Sequence, residues 1–124
     1  MLLCASYVSA QVAFSIDPPS PNAGGFLMTW GDDATWSGPD LNDPANVLQG
    51  TLCLGIDSLA CEPLTNGVDL AGKIAVVYRG TCEFGAKALA CQNEGAIGCV
   101  IINNAGDPVG MAGGTFGLDV TIPV

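Results

Sequence analysis

The chemistry open to this chain is limited by which reactive side chains it has. The 124 residues include three Lys or Arg, twelve Asp or Glu, six cysteines and no histidine. The missing histidine excludes Ser-His-Asp and Cys-His catalytic machinery and every His-ligated metal site. A general base would have to be a carboxylate or a lysine. No paired carboxylates flank a recognisable pocket motif, so the sequence predicts no enzymatic activity of its own and no cofactor.

Two of the few basic residues follow the apolar run 74–78. The planar guanidinium of Arg79 could donate two parallel hydrogen bonds to a peptide carboxylate. It could instead tie down nearby loop carbonyls, with Gly80 permitting a tight turn. Lys87 lies four residues after Glu83, and this spacing predicts a solvated ion pair on a helix.

Acidic side chains cluster between residues 31 and 46. The Asp pairs 32/33 and 40/43 offer oxygen ligands of the kind that Ca²⁺ prefers, but they lack the spacing and the glycine of an EF-hand. We therefore predict a solvated acidic surface loop and no metal site. Trp30 and Trp36 are predicted to anchor the core and this loop, although a sugar-stacking role for Trp36 stays open.

Composition and charge narrow the class of protein. The apolar content of 49% is enough for a packed core, and the length suits one domain. A formal charge of −9 argues against a nucleic-acid partner, because phosphates need a basic patch. It also argues against binding to anionic membranes. We expect no nucleic-acid and no membrane partner.

The N-terminus has the pattern of an export signal. Residues 2–8 are apolar, and Val8-Ser9-Ala10 resembles a small-residue cleavage site. We predict that residues 1–10 are the remnant of a signal peptide, that residues 11–124 form the domain, and that the protein is secreted or at the cell surface. The alternative is an N-terminal strand, since the stretch is too short to span a membrane.

The central part of the chain has the pattern of a βαβ unit. Two apolar runs, 74–78 and 96–102, flank a helical pattern over 83–94. This predicts two parallel strands joined by a right-handed crossover. The apolar face of the predicted helix, at the i, i+4, i+7 spacing, is formed by Phe84, Ala88 and Cys91.

The ends of this unit identify a candidate site. Thr81 is predicted to cap the start of the helix and Gly95 to end it. Arg79 on one side, and Asn103 with Asn104 on the other, leave the sheet at the carboxyl ends of neighbouring strands. Ligands of open α/β sheets tend to bind at that edge.

The remaining elements are less regular. Gly106 to Gly117 contains five glycines and one proline, which predicts a mobile loop. Its exposed backbone would suit an extended peptide, with Gly113 and Gly114 as candidate contacts, and a flexible connector is an equal alternative. The other predicted strands are residues 11–16, 26–30, 47–54 and 118–124.

The string from Gly72 to Asn103 resembles the protease-associated (PA) domain family. That family reads roughly G-K-I, an apolar strand, R-G-x-C-x-F-x-x-K, an Ala-rich helix, G-A, an apolar strand and N. The resemblance covers roughly residues 20 to 124. The matching residues are Gly72, Lys73, Ile74, Arg79, Gly80, Cys82, Phe84, Lys87, Gly95, Ala96 and Asn103.

The resemblance implies an α/β fold: a swivelling β/β/α-type domain with a curved sheet and one or two short helices. Members normally continue past the Ile122-Pro123-Val124 segment into a further strand and helix, so we expect a domain that is incomplete at its C-terminus. It also implies a secreted, bacterial-type, non-catalytic module whose partner is a protein or peptide. The alternative is the accessory domain of a secreted peptidase whose catalytic domain lies outside this chain.

The resemblance also bears on single residues. A structural role for Arg79 is favoured, because the family keeps this arginine in very different hosts. Members often have both a Cys before the Pro-Leu segment and the Cys of R-G-x-C, which suggests a Cys61–Cys82 disulfide. A local Cys53–Cys61 bond is the alternative. Cys91 and Cys99 lie in apolar positions and are predicted to be small buried hydrophobes.

Overall fold

The computed structural model describes residues 12–124, which form two sheets and two short helices. A three-stranded parallel sheet has the order β3-β4-β5, and β1 and β2 form a separate antiparallel hairpin. This confirms the predicted α/β class. The strands are β1 (Phe14–Ile16), β2 (Gly24–Phe26), β3 (Leu52–Leu54), β4 (Ile74–Tyr78) and β5 (Gly98–Ile102), and the helices are α1 (Gly67–Leu70) and α2 (Phe84–Asn93).

The βαβ unit β4-α2-β5 is the centre of the fold. Ile74 is paired with Gly98 and Tyr78 with Ile102, in a parallel register that confirms the prediction. β4 has the predicted bounds, and β5 begins two residues later than predicted. The start is delayed because Gly95, at φ +87°, turns the chain out of α2 before the ladder begins.

One face of the parallel sheet is covered by α2. Ala75 and Val77 of β4 are fully buried there, and the helix contributes Ala88 and Cys91 to the same cluster. Full burial of a Val or Leu side chain stabilises by about 1.5–3 kcal/mol, so this layer supplies much of the packing energy. The opposite face is open, and its side chains Leu54, Tyr78 and Ile102 are 49%, 41% and 39% exposed.

The helix α2 does not begin as predicted. Thr81 has a left-handed φ of +66°, and the residue at the N-cap position is Glu83. The reason is covalent, because the Gly80-Thr81 turn leads directly into the disulfide at Cys82 and the helical hydrogen bonds start only after it. The capping role of Thr81 was therefore wrong, whereas Gly95 ends the helix as predicted.

The acidic loop and the glycine-rich loop hold each other in place. The indole of Trp36, 8% exposed, donates a hydrogen bond to the Met111 carbonyl at 2.7 Å. The amide of Gly113 donates to the Thr35 hydroxyl at 2.6 Å. A Cβ at Gly113 would lie 2.3 Å from the Thr35 carbonyl oxygen, so this approach requires glycine. Trp36 is thus the predicted loop anchor.

The other four predicted strands differ in extent or kind. β1 covers only the end of the predicted 11–16. β2 lies at Gly24–Phe26 instead of 26–30, and β3 covers only the end of the predicted 47–54. The predicted strand at 118–124 was wrong: a 3-10 turn occupies Gly117–Asp119, and the residues after it form no ladder. Pro123 has no amide hydrogen and Val120 is fully buried, so this segment packs against β5 through its side chains and one backbone hydrogen bond, from the Cys99 amide to the Pro123 carbonyl.

The predicted signal remnant at residues 1–10 lies outside the described residues. Within the part of the chain that is described, no helix has both the length and the apolar character needed to cross a bilayer.

Candidate functional site

The carboxyl ends of β4 and β5 are joined by a pair of polar side chains. Arg79 Nη1 donates to Asn103 Oδ1 at 2.9 Å, and the backbone amide of Arg79 donates to the Ile102 carbonyl, also at 2.9 Å. The parallel register of the two strands brings the residues that follow them together at one edge. The structure thus brings Arg79 and Asn103 together at the edge where the sequence places both, and ligand binding at this edge stays a prediction.

Asn103 extends this contact into the glycine-rich loop. Its amide nitrogen donates to the Ala105 carbonyl at 2.5 Å and to the Asp107 carbonyl at 2.8 Å. Both amide hydrogens are therefore used, and the amide oxygen faces the guanidinium. Arg79 ties down the loop through Asn103 rather than by bonding loop carbonyls itself.

A cleft of about 570 Å³ opens beside the pair, between the β1-β2 hairpin and the open face of the parallel sheet. Its walls are mostly apolar, and Arg79 is the one cationic residue among those that line it. Asp107 adds a carboxylate at the glycine-rich side. The other lining residues that matter here are Phe14, Phe26, Val76, Val100, Ile102 and Val109.

The other candidate contacts lie elsewhere. Asn104 is exposed, and neither it nor Gly113 nor Gly114 lines the cleft. Gly113 is buried against the acidic loop, and Gly114 is packed against the carboxylate of Glu83. A second, larger cleft of about 950 Å³ lies between the hairpin and residues 41–52, away from Arg79 and Asn103.

A buried lysine next to the disulfide is a feature that sequence reasoning missed. Lys87 is 0% exposed, and its ammonium donates to the Leu59 and Gly80 carbonyls, each at 2.6 Å. The predicted solvated pair with Glu83 was wrong, because Glu83 instead accepts a hydrogen bond from the Thr115 amide at 3.0 Å. A signal was present: Lys87 stands at i+3 from Phe84, on the buried side of the helix.

The lysine and the disulfide fasten the same two segments. Cys61 and Cys82 form a disulfide with a Cα–Cα distance of 5.7 Å, which confirms the pairing and excludes Cys53–Cys61. Leu59 lies two residues before Cys61, and Gly80 lies two before Cys82. The ammonium of Lys87 thus bridges both arms of the cross-link, 3.7 Å from the sulfur of Cys61.

Burial changes the titration of this lysine. Loss of solvation lowers the pKa of Lys87 below its ordinary value, and the charge of Asp57 opposes the shift. The neutral amine keeps two N–H groups, which is enough for the two carbonyls. The arrangement suits a structural clamp, since the ammonium faces protein carbonyls and no open cleft.

The acidic loop is built from local turns. The carboxylates of Asp33, Asp40 and Asp43 each accept a hydrogen bond from the backbone amide two residues later, at 2.8–2.9 Å. The side chain and amide of Thr35 lower the pKa of Asp33 by donating to its carboxylate. Among residues 12–124, no three carboxylates or thiols converge in the way that a metal ion requires.

The chain is similar to segments of much longer proteins. It is 38% identical over 67 residues to an ER degradation-enhancing alpha-mannosidase-like protein 3 of Xenopus laevis, covering 54% of this chain and 7% of that protein. It is 33% identical over 89 residues to a leucine aminopeptidase 2 of Arthroderma otae, covering 72% of this chain and 17% of that protein. The human alpha-mannosidase-like protein 3 is 47% identical over 47 residues.

These relatives come from vertebrates and fungi, so they give no support to a bacterial type. The chain spans less than a fifth of the length of the Xenopus laevis alpha-mannosidase-like protein 3 and of the Arthroderma otae leucine aminopeptidase 2. No solved structure was found to match it. The sequence pattern of the PA domain family matches residues 48–124 of this chain. That range contains the parallel sheet, α2, the disulfide and the Arg79–Asn103 pair. The chain therefore belongs to the PA domain family.

Proposed function

We propose that this protein is a non-catalytic interaction module that binds a protein or peptide segment at the carboxyl edge of the parallel sheet. The observation that carries the proposal is that Arg79, with its guanidinium bonded to Asn103, lines an apolar cleft of about 570 Å³. An apolar side chain of the bound segment would enter the cleft, while its carboxylate would meet the guanidinium fork.

The geometry of the edge supports this role. The bond to Asn103 holds the guanidinium in one orientation, so less side-chain entropy is lost when a ligand binds. Asn104 and the glycine-rich loop, with Gly113 and Gly114, would flank a longer segment. Asn103 also bonds two carbonyls of that loop, so binding of a segment in the cleft would change the conformation of the loop.

We also propose that the module acts outside the cytosol, with residues 1–10 as a signal remnant and residues 11–124 as the domain. The Cys61–Cys82 disulfide supports this, because such bonds persist mainly in oxidising compartments. The apolar residues 2–8 with Val8-Ser9-Ala10 add a second argument from the sequence.

A second candidate function is substrate access for a catalytic domain in the same full-length chain. The leucine aminopeptidase 2 relatives favour a peptidase as that domain. The cleft would then hold part of the peptidase's polypeptide substrate. Both candidates use the same edge of the sheet, and they differ in whether the bound segment is subsequently cleaved.

Replacing Arg79 with methionine tests the carboxylate contact. We expect short peptides that end in Leu, Phe or Val to bind the wild-type protein more tightly as free acids than as amides. The variant should lose about tenfold in affinity for the free acids, because a charge-assisted contact contributes roughly 1.5–3 kcal/mol and a factor of ten corresponds to about 1.4 kcal/mol. Fluorescence anisotropy with both peptide sets measures this difference.

Lys73→Met is the matched control, since it removes the same charge at the opposite end of β4. It should leave the preference for free acids unchanged. Equal affinity of the Arg79 variant and the wild-type protein for the free acids would contradict the proposed contact. Binding that is lost equally in both variants would point to net charge instead of this site.

The described chain should also be catalytically silent. It has no histidine, and its one buried lysine faces carbonyls rather than an open cleft. We expect no turnover of casein or of short aminopeptidase substrates, with or without Zn²⁺ or Ca²⁺. Activity that co-purifies with the protein through two chromatographic steps and survives inhibitors of common proteases would show that this assignment is wrong.

A further inference from the structure

Two buried thiols face each other across the helix–sheet layer. Cys91 lies on the buried side of α2 and Cys99 in β5, and they are 0% and 4% exposed. Their sulfur atoms are 3.8 Å apart, with the Cys99 thiol donating to Cys91. The helix α2 and the strand β5 pack against each other, so the fold itself brings the two sulfurs together.

This pair differs from the third free thiol in the described part of the chain. Cys53 is half-buried, and its sulfur contacts the Leu54 carbonyl at 3.9 Å. For Cys91 and Cys99, an approach of about 1.7 Å would bring the sulfurs to the length of a disulfide, about 2.05 Å. Small rotations of two side chains on adjoining elements can supply a movement of that size.

We propose that Cys91 and Cys99 form a redox modification site, at which a small-molecule disulfide oxidises the pair to a second intrachain disulfide joining α2 to β5. The proposal goes beyond the interaction module, since it involves neither the cleft nor Arg79. It concerns the layer that holds β5, and hence Asn103, in register with β4.

The reaction balances with glutathione disulfide as the oxidant. The Cys91 thiolate attacks one glutathione sulfur, which forms a mixed disulfide and releases one glutathione thiolate. Cys99 then loses its proton and attacks the Cys91 sulfur, which releases the second glutathione. Two electrons and two protons pass from the cysteines to the two glutathiones.

The surroundings distinguish the two thiols in the folded layer. The pKa of Cys91 is lowered there, chiefly because the Cys99 thiol donates to it, and the positive charge of Lys87 adds to the effect. The pKa of Cys99 is raised by that same donation and by burial. Where this contact persists, Cys91 is the first sulfur to attack. Because both thiols are buried, oxidation needs the layer to open, during folding or local unfolding, and in the fully opened layer either thiol can attack first with the same product.

The positions of the basic residues make the test simple. Trypsin cleaves after Lys73, Arg79 and Lys87, so the fragment 88–124 contains Cys91 and Cys99 and no other cysteine. The reduced, unfolded wild-type chain is refolded in a series of glutathione buffers, quenched in acid, denatured and alkylated. We expect the fragment from oxidising buffers to be lighter by two hydrogens and to carry no alkyl group. Dithiothreitol before alkylation should convert it to the doubly alkylated form.

Two variants make the outcome specific. Cys53→Ser should behave as the wild-type protein does, whereas Cys91→Ala should give a fragment with a single thiol that is alkylated or glutathionylated. The proposal is overturned if the wild-type fragment is doubly alkylated, or carries two glutathiones, at every glutathione ratio that yields the Cys61–Cys82 bond. That bond links fragments 1–73 and 80–87, so it reports correct refolding in the same digest.

Discussion

Replacing Lys87 with methionine should lower the free energy of unfolding by about 2–4 kcal/mol, since the change removes two charge-assisted hydrogen bonds from a fully buried site. Methionine keeps most of the buried volume, so the loss reports the hydrogen bonds rather than a cavity. The Leu59 carbonyl has no other donor among the described residues, whereas the Gly80 carbonyl also accepts from the Cys82 amide. Urea denaturation followed by circular dichroism measures the change.

The same pair of proteins should differ in pH dependence. Burial lowers the folded-state pKa of Lys87, so between that value and the unfolded value near 10.5 the unfolded chain binds more protons. The free energy of unfolding of the wild-type protein, measured relative to Lys87→Met, should therefore rise as the pH is raised toward 10.5. Below the folded pKa the difference should be constant.

Lys73→Met again serves as the control, because this lysine is only half-buried and donates no side-chain hydrogen bond among the described residues. It should change stability by less than about 0.5 kcal/mol. If Lys87→Met is as stable as this control, the two hydrogen bonds of the ammonium add no net stability and only offset the free-energy cost of burying its charge. In that case its pairing with the two carbonyls would be only compensatory.

The parallel sheet was predictable because its signals are local and agree with one another. The apolar run at 74–78, the helical spacing after it and Gly95 each indicate the same βαβ unit. The strand prediction for residues 118–124 was wrong because Val120 and Ile122 are β-branched residues of the kind that strands favour. Whether such a segment joins a ladder depends on a neighbour elsewhere in the chain, and here Pro123 offers β5 only a carbonyl.

The candidate site was predictable to the same extent. Topology alone places Arg79 and Asn103 at one edge, and the structure adds the bond between them. The cleft beside them could not be read from sequence, because one wall comes from the β1-β2 hairpin, far away in the chain. Lys87 was missed for a different reason: charge favours exposure by default, and the carbonyls that offset its burial belong to loops without a sequence pattern.

Loss of the Cys61–Cys82 disulfide should destabilise the protein by roughly 3 kcal/mol, the chain-entropy estimate for closing a loop of this size. The bond joins residues separated by 21 positions, in two loops that Lys87 also connects. The double variant Cys61→Ala/Cys82→Ala should therefore melt clearly below the wild-type protein, by about ten degrees or more for a domain of this size. Cys53→Ser, which alters a thiol outside the cross-link, should melt within a few degrees of the wild-type protein.

The disulfide and Lys87 should also prove coupled, because both hold the 59–61 segment against the 80–82 turn. Once the cross-link is lost, the Leu59 and Gly80 carbonyls are free to separate. The hydrogen bonds from the Lys87 ammonium to them then stabilise the fold less. A double-mutant cycle of Lys87→Met with Cys61→Ala/Cys82→Ala should give an interaction energy of about 1 kcal/mol, with the combined loss smaller than the sum of the separate losses. Strict additivity would mean that the cross-link and the lysine act on separate parts of the fold. The lysine would then stabilise helix α2 alone, and the contact of its ammonium with both arms of the cross-link would have no energetic consequence.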